Sequence, residues 1–146
     1  MINQSIFRQY DIRGRVGTEL DNDAVTAIAA AFCVYIRNLG RQRLIVGRDN
    51  RVSSQGFRDI VVNVCLESGI DVVDIGEVIT PVFYFASRYL EIDAGIMITA
   101  SHNQGHDNGF KLLLGSSTIS AMRFRRFIEW LSVRSRSLVK TEANLC

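Results

Sequence analysis

The sequence predicts an α/β fold: a three-layer α/β/α sandwich around a mixed four-stranded sheet whose last strand is antiparallel. Stretches with helical apolar periodicity alternate with short β-branched runs, in the order α-β-α-β-α-β-β-α. Alternation of this kind places parallel strands in one sheet with helices on its faces. No helix separates the last two strands, so these are expected to form an antiparallel hairpin. At 146 residues the chain is long enough for one domain with an ordinary core.

Four segments are predicted as helices from their apolar stripes and end signals. The first can be capped by Asp21 and stops at Gly40, and the second can be capped by Ser53 or Ser54. Pro81 suits the first turn of the third helix. The predicted helices span 21–40, about 53–68, 81–90 and about 118–134.

The predicted strands are apolar runs, several of them β-branched, bounded by charge or glycine. They span 43–49, 71–76, 94–100 and 109–115. In the connection of the final hairpin, Asn108 and Gly109 form a favourable turn pair. Ligands of such sheets gather beyond the carboxyl ends of the strands. Ser101 and the loop at 48–51 are both expected there.

Composition excludes several classes of protein. Apolar residues make up 47% and charged residues 22%, which is typical of a globular chain, and a net charge of +2 does not indicate a nucleic-acid partner. No apolar run approaches a membrane span and no signal peptide is evident, so no membrane partner and a cytoplasmic location are expected. The three cysteines, Cys33, Cys65 and Cys146, are widely spaced, and the first two are expected to be core thiols.

The segment at 96–115 holds the strongest candidate for chemistry. Ser101 stands where an apolar run ends, His102 follows it, and Lys111 lies on the next apolar run. A serine hydroxyl needs an assisting base or metal to act as a nucleophile, and Lys111 can act as acid or base if buried. The alternative is a surface hairpin of turn residues, in which Lys111 is an edge-strand lysine that prevents aggregation.

Two further loops concentrate charge. Arg13, in the loop at 7–14, is suited either to a phosphate or to a local arginine–aspartate network, and both remain open. For Arg48 and Asp49, in the loop at 47–57, the local network is favoured. His102 and His106 are four apart in a loop, where a metal pair is not expected. Dinucleotide-binding, P-loop and hydrolase-elbow motifs do not occur in the sequence.

Three segments in order, FRQYDIRG, VGRDNRVSS and TASHNQGHDNGFK, resemble motifs of the α-D-phosphohexomutases, and YDIRG is most similar to the bacterial phosphomannomutase/phosphoglucomutase branch. The resemblance covers nearly the whole chain but only the first of the four domains of that family. It therefore implies that residues 1–146 are the serine-bearing domain I, with domains II–IV absent.

The resemblance also implies a reaction and a set of site residues. Ser101 is expected to be a phosphoserine that exchanges its phosphoryl group with a hexose phosphate through a sugar bisphosphate, with Mg²⁺ on a phosphate oxygen. Lys111 is expected to transfer protons, His102 to stand beside the serine, and Tyr10 and Arg13 to lie near the substrate. The residues expected to support the loops are Asn103, Asn108, Gly109, Arg48 and Asp49.

The sequence departs from the family pattern at two positions. Gln104 replaces a proline, which is expected to loosen the loop, and Asp107 replaces a frequent tyrosine, which adds negative charge near the serine. The aspartate-rich D-x-D-x-D loop that supplies the other magnesium ligands of the family does not occur. The isolated chain is therefore expected to have no mutase activity without the missing domains, which are possible partners.

A second hypothesis is a truncated, non-catalytic remnant that acts as an interaction module. The segment at 123–140 is basic and carries interleaved aromatic residues, for which a helix packed on the sheet with solvated arginines is favoured. Loss of a neighbouring domain is expected to leave Trp130 exposed.

Overall fold

The structure is a computed structural model that describes residues 2–143, with side chains described for residues 2–133. After a short 3-10 helix at Gln4–Ile6, this range contains six strands and four helices. The strands are β1 (Ile12–Arg15), β2 (Arg43–Arg48), β3 (Asp71–Glu77), β4 (Ala94–Ile98), β5 (Asp107–Leu114) and β6 (Ser117–Thr118). The helices are α1 (Asn22–Asn38), α2 (Ser54–Glu67), α3 (Thr80–Tyr89) and α4 (Ala121–Ala143).

All six strands belong to one mixed sheet, in the order β1-β5-β4-β2-β3, with β6 paired to β5. β2 is parallel to both β3 and β4, and β5 is antiparallel to both β4 and β1. The mixed sheet and the antiparallel pairing of the last two predicted strands are therefore confirmed. The predicted number of four strands is wrong.

The two strands that the sequence did not predict are short and weakly patterned. β1 has only four residues, in which buried Ile12 and Gly14 alternate with the more exposed Arg13 and Arg15. Half of the strand is therefore charged, and the segment looks like a charged loop. β6 has two residues, which is too short for any periodicity to show.

The predicted turn at Asn108 and Gly109 is also wrong, because both residues lie inside β5. They pair with Gly14 and Arg13 of β1. A turn dipeptide is a local signal, whereas this pairing is a contact with a strand about a hundred residues earlier, so tertiary structure overrides the local preference. The hairpin bends within residues 99–106 instead.

The core lies on both faces of the sheet. Leu44 and Val46 belong to the larger buried cluster, which contains the apolar faces of α1 and α2, and Phe124 of α4. Ile45, between them, belongs to a second cluster with Phe83 of α3. Because alternate residues of a strand point to opposite faces, helices flank the sheet on both sides.

The helix ends follow their sequence signals in part. The side chain of Asp21 accepts a hydrogen bond from the backbone N–H of Ala24, as expected of an N-cap. Pro81 lies in the first turn of α3. Ser53 is the N-cap residue of α2 but makes no capping hydrogen bond, since its hydroxyl accepts one from Asn108 instead.

Cys33 and Cys65 are buried free thiols that pack α1 against α2, as predicted. Their sulfur atoms lie 3.5 Å apart. The hydrogen bond between them lowers the pKa of Cys33 and, together with burial, raises the pKa of Cys65. Cys146 lies outside the described residues.

The last helix extends well beyond its predicted end, to Ala143. Trp130 on this helix is 48% exposed, in line with the expectation for this residue, and its ring stacks on Phe127. The basic side chains at 134–140 lie outside the described residues. Among the helices of residues 2–143, none has the length and hydropathy needed to cross a bilayer.

Candidate functional site

The carboxyl ends of β2 and β4 bring two of the predicted loops together. Arg48, the last residue of β2, pairs in parallel with Ile98, the last residue of β4. The chain that follows β4, residues 99–106, is called here the serine loop and carries Ser101. The chain that follows β2 carries Asp49 and Arg51. The expected position of both loops beyond the carboxyl ends of the strands is confirmed.

Ser101 has an unusual backbone conformation. Its φ angle is 58°, in the left-handed region that residues other than glycine seldom adopt. The hydroxyl of Thr99 holds this conformation by accepting a hydrogen bond from the Ser101 N–H at 2.9 Å. The Ser101 side chain is exposed, and its Oγ lies 3.3 Å from Nδ1 of His102. The hydroxyl therefore has a neighbouring base and open access, in a backbone conformation that costs free energy to hold.

Lys111 lies on β5 and faces a nearly buried carboxylate. Its Nζ donates to Oδ2 of Asp11 at 3.1 Å, and the guanidinium of Arg13 binds the same oxygen at 2.6 Å. One carboxylate thus forms ion pairs with two cations. The alternative of an edge-strand lysine is wrong, because β5 lies between β1 and β4.

Arg13 connects this cluster to the serine loop. Its Nη1 donates to Oδ1 of Asn103 at 2.7 Å. Asn103 in turn donates from Nδ2 to Asp107 at 3.1 Å. The additional carboxylate of Asp107 is therefore held by an amide, and it also lies 3.4 Å from Nε2 of His106.

Tyr10 stands apart from the other predicted site residues. Its side chain is 63% exposed. Its hydroxyl accepts a hydrogen bond from Nε2 of Gln9 at 2.9 Å. This hydrogen bond does not lead to the serine loop. The structure therefore does not bring Tyr10 into the cluster formed by Arg13, Asp11 and Lys111.

Arg51 was missed as a site residue by sequence reasoning. Its guanidinium donates to the backbone carbonyl oxygens of four residues at the serine loop and its end: Ser101, Asn103, Gln104 and Asp107. The distances range from 2.6 Å to 3.0 Å. Its position in the segment VGRDNRVSS was the only available signal, because these acceptors lie fifty or more positions further along the chain.

Asp49 binds Nε of Arg51, the one nitrogen of the guanidinium that does not donate to the serine loop or its end. Its carboxylate accepts from Nε of Arg51 at 3.1 Å and from the hydroxyl of Ser54 at 2.5 Å. Arg48 points elsewhere, to Glu77 at 3.0 Å. Asp49 is part of a local arginine–aspartate network with Arg51, as favoured, whereas the carboxylate that Arg48 contacts is Glu77 rather than an aspartate. Asp49 contacts Arg51, which in turn binds the serine loop, whereas Arg48 makes no described contact with that loop.

Asn108 and Gly109 join β5 to its surroundings. Asn108 is fully buried and donates to the hydroxyls of Ser53 and Ser54 at 2.7 Å and 3.0 Å. At Gly109 the strands come so close that a Cβ atom would lie 2.0 Å from the backbone oxygen of Ile12. Only glycine fits this position.

The described residues do not form a site for Mg²⁺ by themselves. Among residues 2–133, no three histidine, cysteine, aspartate or glutamate side chains are grouped as they would be around a metal. Mg²⁺ requires near-octahedral oxygen coordination, for which a phosphate on Ser101 would supply a single ligand group. We therefore derive no chemical step through the ion.

Fold and site together define an α/β domain that presents a strained serine, a histidine and a cluster of cations at the carboxyl edge of a mixed sheet. Residues 4–122 match the family model of the phosphoglucomutase/phosphomannomutase α/β/α domain I. The chain belongs to this family.

Individual relatives agree with the family match. A phosphomannomutase of Vibrio cholerae is 38% identical over 132 residues, which are 88% of this chain and 28% of the relative. A phosphoglucomutase of Neisseria gonorrhoeae is 40% identical over 119 residues, which are 82% of this chain and 26% of the relative. The crystal structure of a phosphoglucomutase/phosphomannomutase family protein from Burkholderia thailandensis matches with a TM-score of 0.83 and 36% identity, over 93% of this chain and 31% of that one. The chain thus spans less than a third of the length of these relatives.

Proposed function

We propose that this chain is the phosphoryl-carrying domain of a phosphohexomutase that acts on hexose phosphates such as those of mannose and glucose. Phosphorylated Ser101 donates its phosphoryl group to a hexose monophosphate, and the sugar bisphosphate that forms turns over in the site and returns its other phosphoryl group to Ser101. The observation that carries the proposal is the geometry of Ser101: an exposed hydroxyl on a left-handed residue, 3.3 Å from Nδ1 of His102.

In the proposed transfer, Oγ of Ser101 attacks a phosphorus atom of the bisphosphate. The bond from phosphorus to the sugar oxygen breaks as the bond to Oγ forms. His102 is placed to take the hydroxyl proton, because its Nδ1 is the ring nitrogen nearest to Oγ. The departing sugar oxygen takes a proton from Lys111, whose ammonium group is held ready by Asp11. The reverse sequence rephosphorylates the sugar.

Arg13 is proposed to hold a phosphate group of the substrate. Three of its hydrogen bonds go to Asp11 and Asn103, through Nε, Nη1 and Nη2. A guanidinium has five N–H donors, so two of them are left for phosphate oxygens. The net negative charge of a sugar bisphosphate favours its approach to this side of the serine loop.

The domain assignment is likewise a proposal: residues 1–146 act as domain I, a three-layer α/β/α unit, together with the further domains of a mutase. Free thiols at Cys33 and Cys65 support a cytoplasmic location, where disulfides are rare.

A mass measurement tests the proposed carrier role. After incubation with glucose 1,6-bisphosphate and Mg²⁺, the intact chain is expected to gain one phosphoryl group of about 80 Da. Peptide mapping is expected to place it on Ser101, and S101A is expected to gain nothing. A chain that stays unmodified, or that carries the group elsewhere, would contradict the proposal and favour the interaction-module hypothesis.

The purified 146-residue chain is expected to show no turnover of mannose 1-phosphate or glucose 1-phosphate. Its described residues supply the serine, but no group of three histidine, cysteine, aspartate or glutamate side chains that could hold Mg²⁺. A coupled assay of glucose 6-phosphate formation measures this, with an intact relative of full length as positive control. Steady turnover by this chain would refute the expectation.

A further inference from the structure

We propose that Arg51 is a positioning residue for the serine loop, through hydrogen bonds that hold the backbone of that loop in the form in which Ser101 accepts phosphate. This inference rests on the proposed function of Ser101. It adds a residue on a different element, the loop after β2, whose described contacts include neither the serine hydroxyl nor Arg13 and Lys111.

Every donor of Arg51 is already used. Its Nε donates to Asp49. Nη1 donates to the carbonyl oxygens of Gln104 and Asp107, and Nη2 to those of Ser101 and Asn103. These five bonds exhaust the N–H groups of a guanidinium, so none is left for a substrate phosphate. Arg51 therefore differs from Arg13, which has two donors left.

The four carbonyl groups converge on one side of the loop. Within seven residues, four carbonyl oxygens accept hydrogen bonds from the guanidinium of Arg51. The backbone of this segment therefore has little conformational freedom left. This constraint replaces the one lost with the proline that the family pattern has at position 104, where this chain has Gln104. It also explains how Ser101 stays in its left-handed conformation although it is not glycine.

The bonding of the carbonyl groups leaves several N–H groups of the loop available. The backbone N–H groups of His102, Gln104, Gly105 and His106 donate to no other atom of the described residues. All four residues are exposed. Successive free N–H groups in a loop are suited to anions such as a phosphoryl group on the adjacent serine. Arg51 thus binds carbonyl oxygens of the loop, while these backbone N–H groups stay available for an anion.

Amide hydrogen exchange in the 146-residue chain tests the positioning role. In R51Q, the bonded amides of Val16, Ser101, Asn103 and Asp107 are expected to exchange more than about tenfold faster, the equivalent of losing one or two hydrogen bonds. Amides of β2 and β4 are expected to be unchanged. The matched control is R41Q, since Arg41 also pairs with an aspartate and a backbone carbonyl, but at the opposite end of β2.

Two variants separate geometry from charge. R51K keeps the positive charge but lacks the planar fork, so its loop is expected to exchange as fast as that of R51Q. In R51A, millimolar guanidinium chloride is expected to restore the slow exchange of the loop. Loop exchange that is unchanged in R51Q or R51K, or that rises equally throughout the sheet, would overturn the proposal.

The rate of Ser101 phosphorylation by glucose 1,6-bisphosphate distinguishes positioning from mere packing. R51Q is expected to be phosphorylated at least about tenfold more slowly than the wild type, because a displaced nucleophile loses its alignment. A wild-type rate in R51Q would overturn the positioning role. If the wild-type chain itself is never phosphorylated, the proposed function fails, and the exchange experiment alone then decides whether Arg51 orders the loop.

Discussion

Replacement of Gly109 by alanine is expected to destabilise the domain by at least about 4 kcal/mol, enough to unfold a domain of ordinary stability. The new Cβ atom would lie 2.0 Å from the backbone oxygen of Ile12 and 3.1 Å from that of Thr99. Both neighbours are main-chain atoms, which cannot turn aside as a side chain would. Relief of the overlap requires β1 to separate from β5, which breaks the ladder that places Arg13 beside the serine loop.

Urea denaturation followed by circular dichroism measures this effect, or shows directly that the variant does not fold. The matched control is G105A, in the serine loop itself. A Cβ atom at Gly105 meets no heavy atom within 4 Å. Its effect is expected to remain within about 1 kcal/mol in either direction. Equal stability of G109A and G105A would show that β1 and β5 do not approach as closely as described.

Replacement of Asp11 by asparagine is expected to cost about 3 kcal/mol, the lower end of the range for breaking a buried ion pair. Asp11 is nearly buried, with 7% of its side chain exposed, and it forms ion pairs with both Lys111 and Arg13. Its removal leaves two cations close together in a poorly solvated place. Because both cations keep partial access to water, the penalty does not reach the upper end of the range.

Urea denaturation at neutral pH measures the loss, and D93N is the matched control. Asp93 also forms an ion pair with an arginine, Arg41, and the hydrogen bond between them holds the pKa of Asp93 below its ordinary value. That pair is substantially exposed, so D93N is expected to cost less than about 1 kcal/mol. If D11N proves as mild as D93N, the Asp11 cluster is not the buried network described above.

Much of the fold was predictable because its signals are local. The apolar stripe of α1, its cap at Asp21 and the β-branched runs of β2 and β3 are properties of consecutive residues. β1 was not predictable in the same way. Its arginines are stabilised by groups elsewhere, Arg13 by Asp11 and Asn103, and the strand has a partner only because β5 pairs with it.

The candidate site was predictable in its residues more than in its contacts. Ser101, His102 and Lys111 stand out by type and by motif, and Arg13 by charge. No spacing rule indicates that Arg51 donates to four carbonyl groups, because any residue supplies a carbonyl and the identity of the acceptors leaves no trace in the sequence. The turn predicted at Asn108 and Gly109 is wrong for a related reason, since the backbone ladder that pairs them with β1 depends on a distant segment and not on their own side chains.

The central place of β5 has a consequence for the order of events during folding. Within the part of the chain that the structure describes, β1 forms a ladder with β5 alone, which begins some ninety residues later. Closing so long a loop is entropically costly and belongs to the slow steps of folding. Asp11 and Arg13 therefore reach their positions beside Lys111 and the serine loop only when β1 has joined β5. Formation of the Asp11 cluster can thus serve as a measure of when this long-range pairing of the sheet is complete.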